Sequence, residues 1–267
     1  MLETLKEKFA GRSWTPVTLG FSGARVWRIE GVRPLFVKTT EHAVYRDDGA
    51  DLAAEAERLQ WLAGQGIPVS DVIDAGADDR FAWLVTAAVP GRTAADPWPE
   101  QRREAVVDAI AAMTARLHAL PVDGCPFDRR LAVSVPEAIE LAGTGRVDLD
   151  DLDAVRAGWS AQRLSDELVR TRPADEDTVV CHGDLCLPNV LLDPVTIEVT
   201  GLIDVGRAGL ADRHTDVALM TRSLSNTLNE QFGSGYADRF VARYAGLTGA
   251  DITPERIEFY RLLDEFA

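Results

Sequence analysis

Eight consecutive residues, His182-Gly183-Asp184-Leu185-Cys186-Leu187-Pro188-Asn189, hold the densest chemical signal in this 267-residue chain. Their form is H-x-D-x-x-x-x-N, the spacing of a phosphoryl-transfer catalytic loop. In such a loop the aspartate accepts the proton of an attacking hydroxyl. The asparagine five residues later turns back to hold a metal ion. Fifteen residues further on, Ile203-Asp204-Val205-Gly206 sets a second carboxylate at the end of an apolar strand. A carboxylate there suits Mg2+, which prefers one or two carboxylates plus phosphate oxygens. Singly, Asp184 and Asp204 could be turn or capping residues. As an ordered pair behind a strand-rich segment they point to phosphoryl transfer.

A third group joins them. The chain has three lysines, Lys6, Lys8 and Lys38, among 28 basic residues. Lys38 ends the apolar run Pro34-Leu35-Phe36-Val37, where a compact ammonium is not interchangeable with a guanidinium. In a phosphoryl-transfer site it would pair with the α- and β-phosphates of a nucleotide. It then needs an acid to hold it. Glu55 on the following helix is the best candidate, with Glu57, which faces another side of the helix, as an alternative; alone, Glu55 would read as a solvated helix carboxylate. The turn Gly20-Phe21-Ser22-Gly23 could cover phosphates with backbone N–H groups and the Ser22 hydroxyl, although it matches G-x-G-x-x-G poorly.

These groups need elements to position them. Val17–Leu19, Ala24–Ile29 and Leu35–Thr39 read as strands, and Ala50–Ala63 as a helix with a near-3.6 apolar period. Gly64-Gln65-Gly66 and Pro68 end that helix. Val69–Ala75 and Phe81–Val85 read as further strands. Val89-Pro90-Gly91 breaks the pattern, which places a boundary between a lobe of residues 1–90 and one of 91–267. Beyond it the chain is mostly helical: Pro99–Leu120, two or more helices over 135–171, then 215–228, 236–244 and 254–266. A short strand-rich interval covers Thr178–Cys181, Val190–Leu192 and Val199–Val205. The fold class is therefore α+β, a protein-kinase-like two-lobe fold with a small β-rich N-lobe and a larger helical C-lobe.

Composition limits the partners. Lys+Arg number 28 against 43 Asp+Glu, a net charge of -15. Nucleic acid is thereby excluded as a default partner, since phosphate binding needs a positive field. A cationic small-molecule substrate remains open, as does plain solubility. The hydrophobic share of 46% argues against disorder, and no apolar run approaches the ~20 residues of a membrane span. The charged start at Glu3, Lys6, Glu7 and Lys8 is unlike a signal peptide. Cys125, Cys181 and Cys186 lack metal-ligand spacing and read as reduced thiols of a cytoplasmic protein. The expected state is a monomer or weak dimer.

The residues also resemble a known family. Val180 to Asp184, Pro188-Asn189, Gly201 to Arg207, Ala211 to His214 and Asp216 look like the aminoglycoside phosphotransferases. The ending Tyr260 to Phe266 resembles the 3'-phosphotransferases that act on kanamycin and neomycin. The similarity runs the whole length, through Trp61-Leu62, Gly66 to Val69, Trp83 to Thr86 and Cys125-Pro126. The streptomycin 3''-phosphotransferases share a segment like Cys125 to Leu131.

The resemblance implies roles. Asp184 would be the catalytic base, Asn189 and Asp204 the magnesium ligands, and Lys38 with Glu55 the ion pair on the ATP phosphates. Thr86 to Ala88 would be the hinge whose backbone meets adenine. Arg207 would lie near the transferred phosphate, or else form a structural salt bridge. Asp212 and Asp216 would brace the loop by helix capping. His182 would organise the loop by hydrogen bonding. A cationic aminoglycoside needs carboxylates. One source is Asp148 to Asp153, with Asp150 and Asp153 as candidates, unless this run is a solvated helix start. The other is the chain end, with Asp264, Glu265 and the carboxylate of Ala267. Two features depart from the 3'-enzymes. Asn226 and Thr227 stand where an acidic pair is expected, with Glu230 further on, and Ala267 replaces an aromatic. The alternatives to a 3'-kinase are a streptomycin 3''-phosphotransferase, another small amino-sugar kinase, or a catalytically silent nucleotide-binding module.

Overall fold

Alternation along Leu35–Glu41 decides where Lys38 goes. Leu35, Val37 and Thr39 are buried on one face of this strand, while Phe36 and Lys38 occupy the other. The computed structural model describes residues 2–17, 24–41 and 51–266. Within it the strand is β3 of a five-stranded antiparallel sheet, formed with β1 (Trp14–Val17), β2 (Arg25–Ile29), β4 (Val72–Ala77) and β5 (Phe81–Ala87). The strand order is β1-β2-β3-β5-β4. Helix α1 (Leu2–Lys8) and the residue after it bring Leu5 and Phe9 to a core of Ile29, Leu35, Val37, Val85 and Ala87.

Helix α2 (Leu52–Gly64) packs on the same sheet. Asp51 caps it, its Oδ1 accepting the N–H groups of Ala53 and Ala54. Gly66 ends it with a φ of 76°, which favours glycine. Leu52, Ala56, Leu59 and Leu62 form its buried stripe, and Glu55 lies within that stripe. The helix starts two residues later than its sequence pattern suggests.

By contact the chain divides into two units. One runs to Arg92 and includes Leu191–Arg207; the other is Thr93–Val190 with the chain from Ala208 onward. The returning segment carries β9 (Val199–Leu202), which pairs with β8 (Val190–Leu192). Leu202 bridges Val69, and the Leu202 N–H donates to Pro68 O at 2.9 Å. The Thr200 hydroxyl donates to Pro90 O at 2.5 Å. These bonds carry Asp204 to the first unit across more than a hundred residues of sequence.

The second unit is helical. After the two-residue β6 (Arg92–Thr93) come α3 (Glu100–His118), α4 (Leu131–Gly143) and α5 (Ala161–Thr171). The strands β7 (Thr178–Cys181) and β10 (Gly209–Asp212) pair antiparallel. Helices α6 (His214–Ser225), α7 (Ser234–Thr248) and α8 (Pro254–Asp264) follow. Leu131, Val135, Leu164, Leu168, Ala218, Phe259 and Leu262 share one core. Further differences from the sequence reading fall at α4, α7 and β10. Helix α4 starts before Pro136 and runs through it, losing one ladder bond while Leu131, Val135 and Ala138 anchor it. Helix α7 is longer at both ends. Strand β10, four residues long, carries too little periodicity to be read.

Gly91 has φ 121°, and a Cβ there would meet Leu192 O at 2.5 Å and Thr200 Oγ1 at 2.9 Å. Gly91→Ala is expected to destabilise the protein by about 1–3 kcal/mol, read as an earlier urea midpoint with an unchanged m-value.

Candidate active site

Three charged groups gather in the first unit. The Lys38 ammonium donates to Glu55 Oε2 at 2.9 Å and Oε1 at 3.1 Å, and it also pairs with Asp204 Oδ1. Glu55 is buried, whereas the Asp204 side chain is 46% exposed. Burial would push the Lys38 pKa down. The charges of Glu55 and Asp204 outweigh it and hold the pKa well above the ordinary lysine value. Lys38 therefore stays an ammonium throughout the physiological range. Asp204 has φ 60°, a left-handed conformation that aspartate tolerates better than most residues. Arg207 ends the single 3-10 turn Val205–Arg207 and is partly buried.

Thr86 lies in β5 opposite Phe36. The Ala88 N–H, just beyond that strand, donates to Pro34 O at 2.9 Å. That amide is engaged, so any adenine contact at Ala88 would fall to its carbonyl. Ser22 and Ala267 lie outside the described residues.

The second unit holds the loop. Asn189 is 5% exposed, and its Nδ2 donates to both Asp184 O at 2.9 Å and Asp184 Oδ2 at 3.0 Å. This contact orients the Asp184 carboxylate and leaves the Asn189 Oδ1 as the oxygen it could offer a cation. The Asp184 N–H donates to His182 Nδ1 at 3.2 Å. His182 thus organises the backbone of the loop. Leu187 N–H donates to the Ser223 hydroxyl at 3.0 Å, which ties the middle of the loop to α6.

Asp216 holds the other end. It is fully buried in the first turn of α6. Its Oδ2 accepts the His182 N–H at 2.8 Å, and its Oδ1 the Gly183 N–H at 2.9 Å. His118 Nε2 lies 3.0 Å from Asp216 Oδ2, and its Nδ1 lies 2.6 Å from the Tyr244 hydroxyl. Arg213 donates to that same hydroxyl at 2.8 Å. Burial alone would push the Asp216 pKa up. Hydrogen bonding and charge from His118, together with His182, outweigh it and hold the carboxyl below its ordinary value. Asp212, also fully buried, accepts the His214 N–H at 2.8 Å at the start of α6 and pairs with Arg256. Asp212 accepts this N–H from before the N-cap position, which Arg213 occupies without a side-chain cap, and Asp216 reaches from inside the helix to the loop.

Three of the acidic candidates for a substrate meet in one charged ladder. Glu265 accepts Arg156 Nη1 at 2.8 Å and the Asp153 N–H at 3.2 Å. Asp153 Oδ2 lies 3.5 Å from Arg156, and Asp264 pairs with Arg222. Arg156 also pairs with Glu258. Asp150 and Glu230 are exposed and take no part in these pairs among the described residues. The acidic run Asp148–Asp153 precedes the short 3-10 turn Ala154–Arg156 and starts no α-helix. Arg156, Arg222, His118, Tyr244 and Ser223 escape the sequence reading. Each acts through a partner far along the chain, and no local motif marks it.

This antiparallel sheet with a lysine–glutamate pair, followed by a helical segment carrying the H-G-D-x-x-x-x-N loop, defines a kinase-like phosphotransferase. The chain belongs to the phosphotransferase enzyme family, whose model matches residues 13–260. It is 51% identical over 267 residues to an aminoglycoside 3'-phosphotransferase of Streptomyces fradiae, covering 98% of each chain. The crystal structure of a type VIII aminoglycoside 3'-phosphotransferase superposes with a TM-score of 0.92 at 51% identity, covering 100% of this chain and 97% of the other. A 3''-phosphotransferase of Streptomyces rimosus, solved with ADP and streptomycin, superposes with a TM-score of 0.84 at 31% identity, covering 99% of this chain and 96% of the other. No helix among the described residues is long and apolar enough to cross a membrane.

Asp216→Asn replaces one acceptor oxygen with an amide that faces a loop N–H. It is expected to cost about 3 kcal/mol, the worth of a hydrogen bond to a buried charge. Because the folded-state pKa of Asp216 is lowered, its contribution is present above the ordinary aspartate value and lost as pH falls below it. Chemical denaturation between pH 7 and pH 3 should therefore show a shallower acid loss in Asp216→Asn than in the unmodified protein.

Proposed function

We propose that this protein phosphorylates an aminoglycoside with ATP and Mg2+, at the 3'-hydroxyl of a kanamycin- or neomycin-type substrate, and so confers resistance. The observation that carries the reading is the 51% identity across 98% of the S. fradiae 3'-enzyme, with Lys38, Asp184, Asn189 and Asp204 all in place. In this proposal residues 1–90 bind nucleotide and residues 91–267 carry catalysis and substrate. The lobe of 1–90 contributes Lys38 held by Glu55, Ser22 over the phosphates, and the Thr86–Ala88 backbone toward adenine.

Phosphoryl transfer has a loose transition state, so positioning and charge neutralisation supply most of the rate. Asp184, held by Asn189, would orient the sugar hydroxyl and take its proton as its oxygen bonds to the γ-phosphorus and the bond from that phosphorus to the bridging oxygen of the β-phosphate breaks, releasing ADP. Lys38 and Arg207 would offset phosphate charge. Asp204 and Asn189 offer hard oxygen donors of the kind Mg2+ takes. Bound there, Mg2+ would supply further neutralisation of the phosphates. The cationic substrate would meet Asp153, Asp264 and Ala267, with Asp150 and Glu230 as outer acids and Glu265 holding Asp153 in place.

A second reading, a streptomycin 3''-kinase, is favoured by the S. rimosus relative and by Asn226 and Thr227, both exposed and neutral. A silent nucleotide-binding module is disfavoured by the intact set of four polar residues. The cytoplasm, where ATP is available, is the proposed compartment, with the chain as a monomer or weak dimer.

Magnesium-dependent ADP release with kanamycin, neomycin and streptomycin offered separately tests the reading. Turnover on kanamycin or neomycin is expected. Asp184→Asn should lower kcat about 10²–10⁴-fold, the range for loss of a general base, with little change in melting temperature. Turnover on streptomycin alone would replace the substrate assignment. ATP binding without turnover on all three would overturn the function.

A further inference from the structure

Four carboxylates and three guanidiniums meet where residues 153–156, the end of α6 and the end of α8 converge. The acids are Asp153, Glu258, Asp264 and Glu265; the arginines are Arg156, Arg222 and Arg261. They are not equivalent. Arg156 is 3% exposed and is satisfied by Glu265, Glu258 and Asp153, so it is a fixed part of the scaffold. Arg222 is built differently. Its side chain is 31% exposed, its Nη2 pairs with Asp264, and its Nη1 lies 3.9 Å from Asp153 Oδ2.

We infer that Arg222 is an internal counter-cation for Asp264 and Asp153, which a polyammonium substrate must displace, and that it thereby selects multiply charged substrates. The inference deepens the proposed function and rests on its reading of Asp264 and Asp153 as substrate carboxylates. The physical case is an exchange. An incoming ammonium replaces one charge-assisted bond to Asp264 with another of similar kind. The Arg222 side chain is 31% exposed and can swing out to solvent, while Asp264, 14% exposed, takes the incoming ammonium in its place, so the exchange leaves no anion unpaired, as removal of Arg156 would. The released guanidinium keeps its charge near the site. A substrate bearing one ammonium gains little from the exchange and still meets that charge. A substrate bearing several gains bonds to both acids. Without Arg222 the cluster's excess of acid over base grows from one charge to two, and its attraction for cations rises.

The test is the KM for kanamycin in magnesium-dependent ADP release, with ATP KM and melting temperature as controls. Arg222→Gln is expected to lower the kanamycin KM about threefold to tenfold, the factor by which a competing closed state depresses apparent affinity. Arg222→Lys, which keeps the charge but loses the fork, should lower it about twofold on the same reasoning. In an Asp264→Asn background the Arg222→Gln effect should largely vanish. A raised or unchanged kanamycin KM in a folded Arg222→Gln would overturn the inference. If that variant does not fold, the sign in Arg222→Lys decides. Equilibrium kanamycin binding by calorimetry reads the same sign without turnover, and no kanamycin binding by the unmodified protein overturns the inference as well. Turnover with the wrong sign in Arg222→Gln refutes the role of Arg222 and leaves the proposed function standing; absence of turnover on every aminoglycoside refutes that function.

Discussion

A buried anion organises the second unit. The Asp216 carboxylate lies wholly away from water, where an unpaired charge would cost several kcal/mol. It is tolerated because the His182 N–H, the Gly183 N–H and the His118 ring converge on its two oxygens. In return it fixes the backbone on which Asp184 sits. Gly183 has φ 82° at this point, a conformation that glycine adopts without strain. The network continues outward through Tyr244 and Arg213 to Asp177, so α3, α6 and α7 are all tied to one loop. Helices of this unit thereby hold the peptide groups of the loop in place.

The first unit uses the same physics with the opposite sign. There a cation, Lys38, is held by two carboxylates that arrive from different directions, one on α2 and one on the segment after β9. Glu55 is buried and has its charge partner in Lys38, while Asp204 is exposed enough to exchange that partner for another cation. In the proposed function the buried acid would position the ammonium and the exposed one would meet incoming charge.

The charged ladder at the end of the chain repeats the contrast between fixed and exchangeable pairs. Arg156 and Glu265 form the fixed pair, and burial makes their partnership obligatory. Burial pushes the Glu265 pKa up, and Arg156 only partly opposes it. Glu265 also accepts the Asp153 N–H, while Asp264 and Arg222 stay nearer to solvent.

The sequence alone determined what depends on local order. The spacing of Asp184, Asn189 and Asp204 follows from a single loop and the strand after it. The pairing of Lys38 with Glu55 is legible only through the phosphoryl-transfer motif and the family resemblance, since Glu55 alone reads as a solvated helix carboxylate. The α+β order and most helices follow from strand and helix periodicities. What the tertiary structure alone decided is which distant groups meet. His118 and Asp216 are 98 residues apart, and Arg156 and Glu265 are 109 apart. No pattern of neighbours records such pairs, because a side chain's burial and partners are set by the packing of whole helices. For that reason the sequence showed a cluster of terminal acids, and only the fold showed that Glu265 is locked, that Asp264 is paired, and that Arg222 stands among them.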